Sequence, residues 1–148
     1  MGNICISGIC SKICEPKWNK YDKTTEAFSF KGQKLKCKVV SVYDGDTMRV
    51  VFPLNRKMYK WNCRLLGIDT PELRTKDKHE KELAIIAKEN LTKLVLNKVI
   101  EIYCGGWDKY GRLLVTPITK NEGNICSWMI KNKYATAYNG GTKSTWKK

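Results

Sequence analysis

Acidic residues are scarce in this chain, 14 Asp and Glu against 28 Lys and Arg, and four of them stand where strands should end or turn. Asp44 and Asp46 flank a glycine in VYDGDTMRV, and Asp69 and Glu72 fall in CRLLGIDTPELR. Carboxylates from separate strand ends can converge on one hard cation, with a loop carbonyl and waters completing its oxygen shell. Arginine is rarer still, five residues against 23 lysines. Arg64 interrupts an apolar strand, and Arg112 follows a glycine turn in DKYGRLL. A guanidinium aimed inward beside carboxylates needs an ion pair or a bound anion, and its planar fork suits phosphate better than a lysine point charge. A cation and two arginines around one phosphate are the equipment of phosphodiester hydrolysis. Taken singly, each feature also has a structural reading. DGD and KYGR can be tight turns, DTPE can be a helix start, and Arg64 with Asp69 can be an ion pair serving only the fold. Their joint occurrence in this order favours chemistry.

Composition narrows the partner. The chain has 148 residues and a formal charge of +14, enough length for one ordinary domain and enough charge to imply a polyanion. Nucleic acid comes first and an anionic membrane surface second. The one histidine, His79, lies between Lys78 and Glu80, so chemistry that needs two imidazoles is excluded, along with most catalytic zinc sites. Four of the seven cysteines, Cys37, Cys63, Cys104 and Cys126, sit among apolar neighbours, where a free thiol serves as a small buried hydrophobe. Cys5, Cys10 and Cys14 cluster near the start without a fourth ligand or metal-type spacing. MGNICISGIC lacks the pattern of a secretory signal, and no apolar run approaches the roughly 20 residues that cross a bilayer. An intracellular protein with reduced thiols is the expectation.

The elements that must position the acids and arginines can be read from periodicity. Leu35, Cys37 and Val39 alternate with Lys34, Lys36 and Lys38, a half-buried strand. DGDT turns the chain into a second strand, MRVVFPL. A third, MYKWNCRLLGI, is predicted to run to Asp69, where Pro71 ends ladder pairing. Between Asp77 and Asn97 the period becomes helical, with Leu83, Ala87, Leu91 and Leu94 on one face and Ile86 and Val95 alongside. Strands follow at KVIEIYC and GRLLVTPI, then a short helix in NICSWMIKN capped by Asn124. The predicted fold is a β-rich α+β domain over 34–148, a five-stranded Greek-key barrel with packed helices. Residues 1–33 read as an N-terminal tail, which Phe28 and Phe30 can pin at its end.

VYDGDTMRV, CRLLGIDTPELR, DKYGRLL and a final Y-A-x-A-Y segment, in that order, resemble the staphylococcal nuclease (thermonuclease) family over roughly residues 34–140. The resemblance implies an OB-fold barrel and a calcium-dependent nuclease acting on DNA and RNA, leaving 3′-phosphates, single strands preferred. By motif, Asp46 and Asp69 are implied as carboxylate ligands of Ca2+ and the Thr70 carbonyl as a third. Arg64 and Arg112 are implied to bind the scissile phosphate and stabilise its transition state, and Glu72 to orient or deprotonate the attacking water. Lys109 and Tyr110 would sit beside bound phosphates. Tyr138 would stack on a base or serve as a core aromatic. The alternative is a catalytically inactive OB-fold module that binds nucleic acid through the +12 surface of residues 34–148. A monomer is expected in either case.

Gly2 after Met1, with Cys5 nearby, hints at myristoylation with palmitoylation, although Ile6 stands where the acceptor pattern wants Ser or Thr. One acyl chain binds a membrane marginally, so the neighbouring cysteines and lysines would have to supply the second signal for tethering to an anionic membrane surface.

Overall fold

The structure, a computed structural model, describes residues 15–142 and 145–146. Gly2, Cys5 and the other two cysteines of the start lie outside the described residues. Strands β1 (Lys34–Val42), β2 (Thr47–Leu54) and β3 (Lys57–Leu65) form a meander, and Ile68–Asp69 is a short β4. Helix α1 (Lys78–Val95) leads to β5 (Val99–Trp107), β6 (Leu113–Thr119) and β7 (Gly123–Asn124). Helix α2 (Ile125–Lys131) and β8 (Thr136–Ala137) complete the order.

The barrel follows from period-two alternation. Cys37 and Val39 of β1, Met48, Val50 and Phe52 of β2, and Cys63 and Leu65 of β3 are buried together with Ile100, Ile102, Leu113 and Val115. Antiparallel pairing gives the order β3-β2-β1-β5-β6, and β6 returns to pair in parallel with β3. That closure makes a five-stranded barrel and removes the sheet edges. The β2–β3 hairpin turns through Asn55 and Arg56, both at positive φ (49° and 66°), as a two-residue turn matched to strand twist requires.

Two sequence readings are corrected. The third strand does not run to Asp69. Gly67 takes φ +79°, which only glycine adopts freely, and turns Ile68–Asp69 out of the barrel to pair with Thr136–Ala137. On α1 the buried stripe is Ala84, Ala87, Leu91 and Val95, while Ile86 is exposed. Ala87, Leu91 and Val95 are buried as the periodicity predicts and Leu94 packs partly buried against the core, while the small Ala84 takes the place on the stripe that Ile86 does not. The Asn124 cap is as expected, and α1 is capped too. The Asp77 carboxylate accepts the N–H groups of His79 and Glu80, and Asn124 accepts that of Ser127.

The stretch before β1 is anchored. Phe30 is buried and its ring meets Phe52, Trp61 and Trp107. Beside it, Gly32 N–H donates to the Cys104 carbonyl and Cys104 N–H to that of Gln33. The thiols of Cys37, Cys63, Cys104 and Cys126 are free and buried. No described helix is long and apolar enough to cross a membrane.

Candidate active site

The same alternation that fills the barrel decides what lies outside it. With Met48 and Cys63 turned in, Thr47 and Arg49 of β2 and Asn62 and Arg64 of β3 face out. Thr47 pairs with Arg64, and Arg64 with Leu114 of β6. One step along, Arg49 pairs with Asn62, and Arg112 stands just before Leu113, the partner of Cys63. Both catalytic arginine candidates thus lie on one outer face, across β2, β3 and the start of β6.

Arg64 joins the two acidic turns. Its Nη1 pairs with Asp46 Oδ2, and its Nη2 lies 3.8 Å from Asp69 Oδ1 and 3.4 Å from the Ile68 carbonyl. Asp46 and Asp69 are 4% and 2% exposed, and Thr70 is 5%. Thr47 Oγ1 donates to Asp46 Oδ1 at 2.9 Å and accepts from Arg112 Nη1 at 3.4 Å. Two carboxylates and two guanidiniums therefore form one connected network. Arg112 is held from behind by Asp108, whose Oδ2 takes its Nε–H at 2.7 Å and whose Oδ1 takes its backbone N–H at 2.9 Å.

Burial pushes the Asp46 carboxyl up to about 7, aided by the nearby Asp44 charge and opposed by Arg64 and the Thr47 hydroxyl. Arg64 thus offsets only part of the cost of burying this carboxylate, and a bound cation would favour the charged form further. Among the described residues no three His, Cys, Asp or Glu side chains form a metal-type cluster. A cation would rest on the two carboxylates, the Thr70 carbonyl and waters, an all-oxygen set that fits calcium. The nearby Cys126 thiol is pushed up to about 12 by burial, so it stays neutral and offers no thiolate.

A groove of about 730 Å³ opens beside the network, lined by Arg64, Arg112, Lys109, Tyr110 and Tyr138 among others. Tyr110 is 70% exposed, with the Arg112 guanidinium carbon 5.4 Å and Lys109 Nζ 5.0 Å from its ring centre. Tyr138 lines the groove and is only half-buried, so it is not a core aromatic. Its hydroxyl donates to the Gly141 carbonyl and its N–H to that of Gly67. Glu72 is exposed on the turn after Pro71 and outside the groove lining; its N–H donates to Glu80 Oε1 of α1.

Sequence reasoning missed three contributors. Asp108 stands four residues before Arg112 inside DKYGR, a spacing that could have marked it. Thr47 ends DGDT and bridges acid to arginine. Gly45 is needed for closeness, since a Cβ there would stand 2.9 Å from Ala87 Cβ and 3.0 Å from Thr70 Cγ2. No local sequence signal marks that contact.

Residues 62–148 match the family model described as staphylococcal nuclease homologue, which is more than half of the chain. The chain belongs to the staphylococcal nuclease family. An uncharacterized protein of Methanocaldococcus jannaschii is 33% identical over 68% of this chain and 58% of its own length. A protein of Haemophilus influenzae named "Uncharacterized endonuclease" is 30% identical over 72% of this chain and 54% of its own. The "Probable endonuclease lcl3" of Emericella nidulans is 26% identical over 76% and 51%. The chain spans about half to three fifths of the length of these curated relatives. The nuclease-family match begins inside β3, so it takes in Arg64, Asp69 and Arg112; Thr47 joins them through its pairing with Arg64 and Asp46 through its ion pair with Arg64.

Proposed function

We propose that this chain is a calcium-dependent nuclease that hydrolyses phosphodiester bonds of DNA and RNA, preferring single strands and leaving 3′-phosphates. The observation that carries the reading is Arg64 spanning the buried Asp46 and Asp69 while Arg112 is tied to Asp46 through Thr47. The two arginines line one groove, and the two buried carboxylates stand directly behind Arg64. The relatives named as endonucleases support the same class of reaction.

In this reading Asp46, Asp69 and the Thr70 carbonyl would hold calcium, which when bound would neutralise phosphate charge and polarise the phosphorus. Arg64 and Arg112 grip the non-bridging oxygens of the scissile phosphate from two sides. As the water oxygen bonds to phosphorus and the bond to the 5′-oxygen breaks, charge builds on those oxygens, which the two guanidiniums would meet, and the departing 5′-oxygen takes a proton from solvent. Glu72, three residues after Asp69 on the exposed turn, would orient or deprotonate the attacking water. Asp108 fixes the Arg112 fork in advance, so little reorganisation accompanies the step. Lys109 and Tyr110 flank the bound strand, and Tyr138 offers a face to a base.

The test is a defined single-stranded oligonucleotide digested in calcium, with product ends identified by mass spectrometry. The expected products carry 3′-phosphates, and Arg64→Ala and Arg112→Ala each slow their release by about 10²- to 10³-fold while keeping wild-type circular dichroism. Undiminished cleavage in both variants would overturn the assignment.

A further inference from the structure

We infer that Arg49, braced by Asn62, forms a second phosphate subsite next to the scissile one, holding a neighbouring phosphate of the same nucleic-acid strand. The inference rests on reading the groove as a nucleic-acid site. Arg64 and Arg112 are each paired with a carboxylate, whereas Arg49 has no carboxylate in ion-pair range among the described residues. It is nonetheless held in place. Its Nε–H donates to Asn62 Oδ1 at 3.2 Å, across the β2–β3 pair. An arginine held at Nε by a neutral amide has its charge balanced by no partner there, the arrangement that suits a phosphate.

Position makes the charge useful. Arg49 pairs with Asn62 across β2 and β3, and Arg112 stands just before Leu113, the β6 partner of Cys63. A cavity of about 230 Å³ lies there, lined by Tyr43, Asp44, Thr47, Arg49, Asn62 and Arg112. Arg112 borders both this cavity and the main groove, so a strand leaving the scissile position over Arg112 enters it directly. Lys60, exposed and two residues before Asn62 on β3, continues the cationic line. Asp44 is the one acid in the lining. It stands at the turn, where its Oδ1 accepts the Asp46 N–H at 3.2 Å. Exposed Tyr43 beside it offers a ring to a base.

The test compares Arg49→Ala with Lys93→Ala, an equal charge loss on exposed α1. Binding of labelled single-stranded oligonucleotides of two and eight nucleotides is followed by anisotropy across a salt series without calcium. Wild-type and Lys93→Ala proteins should bind the longer strand more tightly than the shorter. Arg49→Ala should lose about tenfold of that advantage and lower the salt slope for the longer strand by about 0.7, one phosphate contact on a single strand. Arg49→Lys should restore part of it. Where the wild type cleaves, KM for the longer strand should rise in Arg49→Ala with little change in kcat. Equal binding by Arg49→Ala and Lys93→Ala overturns the subsite while leaving the nuclease reading intact. A wild type that binds but never cleaves removes the nuclease reading, and the anisotropy series still decides the subsite.

Discussion

Asp108 grips Arg112 at two points from one carboxylate, taking its backbone N–H on Oδ1 and its side-chain Nε–H on Oδ2. Four residues of tight turn, with Gly111 at φ +75°, bring the two together. The turn and the guanidinium are therefore set by a single acid. Its partial burial favours the neutral form, but the bonds from Arg112 and Tyr110 outweigh this and hold the Asp108 carboxyl below its ordinary 3.8.

Replacing that acid should uncouple Arg112 from the barrel. Asp108→Asn should lower kcat about tenfold with a smaller change in KM, since the fork still binds phosphate but is no longer aimed in advance. A depressed carboxyl contributes stability that is full above its unfolded value and is lost as pH falls through the folded one. The melting temperature of the wild type should thus drop faster below pH 4 than that of Asp108→Asn. Parallel acid limbs would contradict the ion pair's role.

Gly45 sets how closely the acidic turn approaches α1. Gly45→Ala puts a methyl against Ala87 and Thr70 at contact distances that core atoms do not tolerate. An overpacking cost of about 1–3 kcal/mol is expected, read as a melting temperature lower by several degrees. Activity should fall further than stability does, because Asp46 moves with the turn. A stability change below about 0.5 kcal/mol would mean the turn has room to spare.

Much of this arrangement was legible in the sequence, for a physical reason. Alternation in β1, the Asn124 cap and the order of DGDT, DTPE and KYGR are local patterns, each fixed by residues a few positions apart. The break at Gly67 was not legible, because an apolar run continues through it and only pairing with Thr136–Ala137 shows that the strand has ended. On α1 the buried stripe takes in Ala84, which hydrophobicity passes over, and leaves Ile86 exposed, whereas Ala87, Leu91 and Val95 stand where periodicity puts them. The Arg49–Asn62 brace depends on β2–β3 register, which spacing alone does not reveal.

Phe30 lies before the first strand yet closes the core against Phe52, Trp61 and Trp107. Phe30→Ala should destabilise by about 3–5 kcal/mol, seen as a lower urea midpoint with an unchanged slope. Phe28→Ala, at a largely exposed position, should cost far less. Equal small effects would place both residues outside the folding unit.

The most direct measurement is release of acid-soluble nucleotides from heat-denatured DNA at low salt, with calcium and then with excess chelator, for the wild type and Asp46→Asn. Wild-type release should require calcium and stop on chelation, and Asp46→Asn should remain near background while still binding DNA. Intact DNA in every condition, with binding retained, would contradict catalysis and leave a module that only binds nucleic acid.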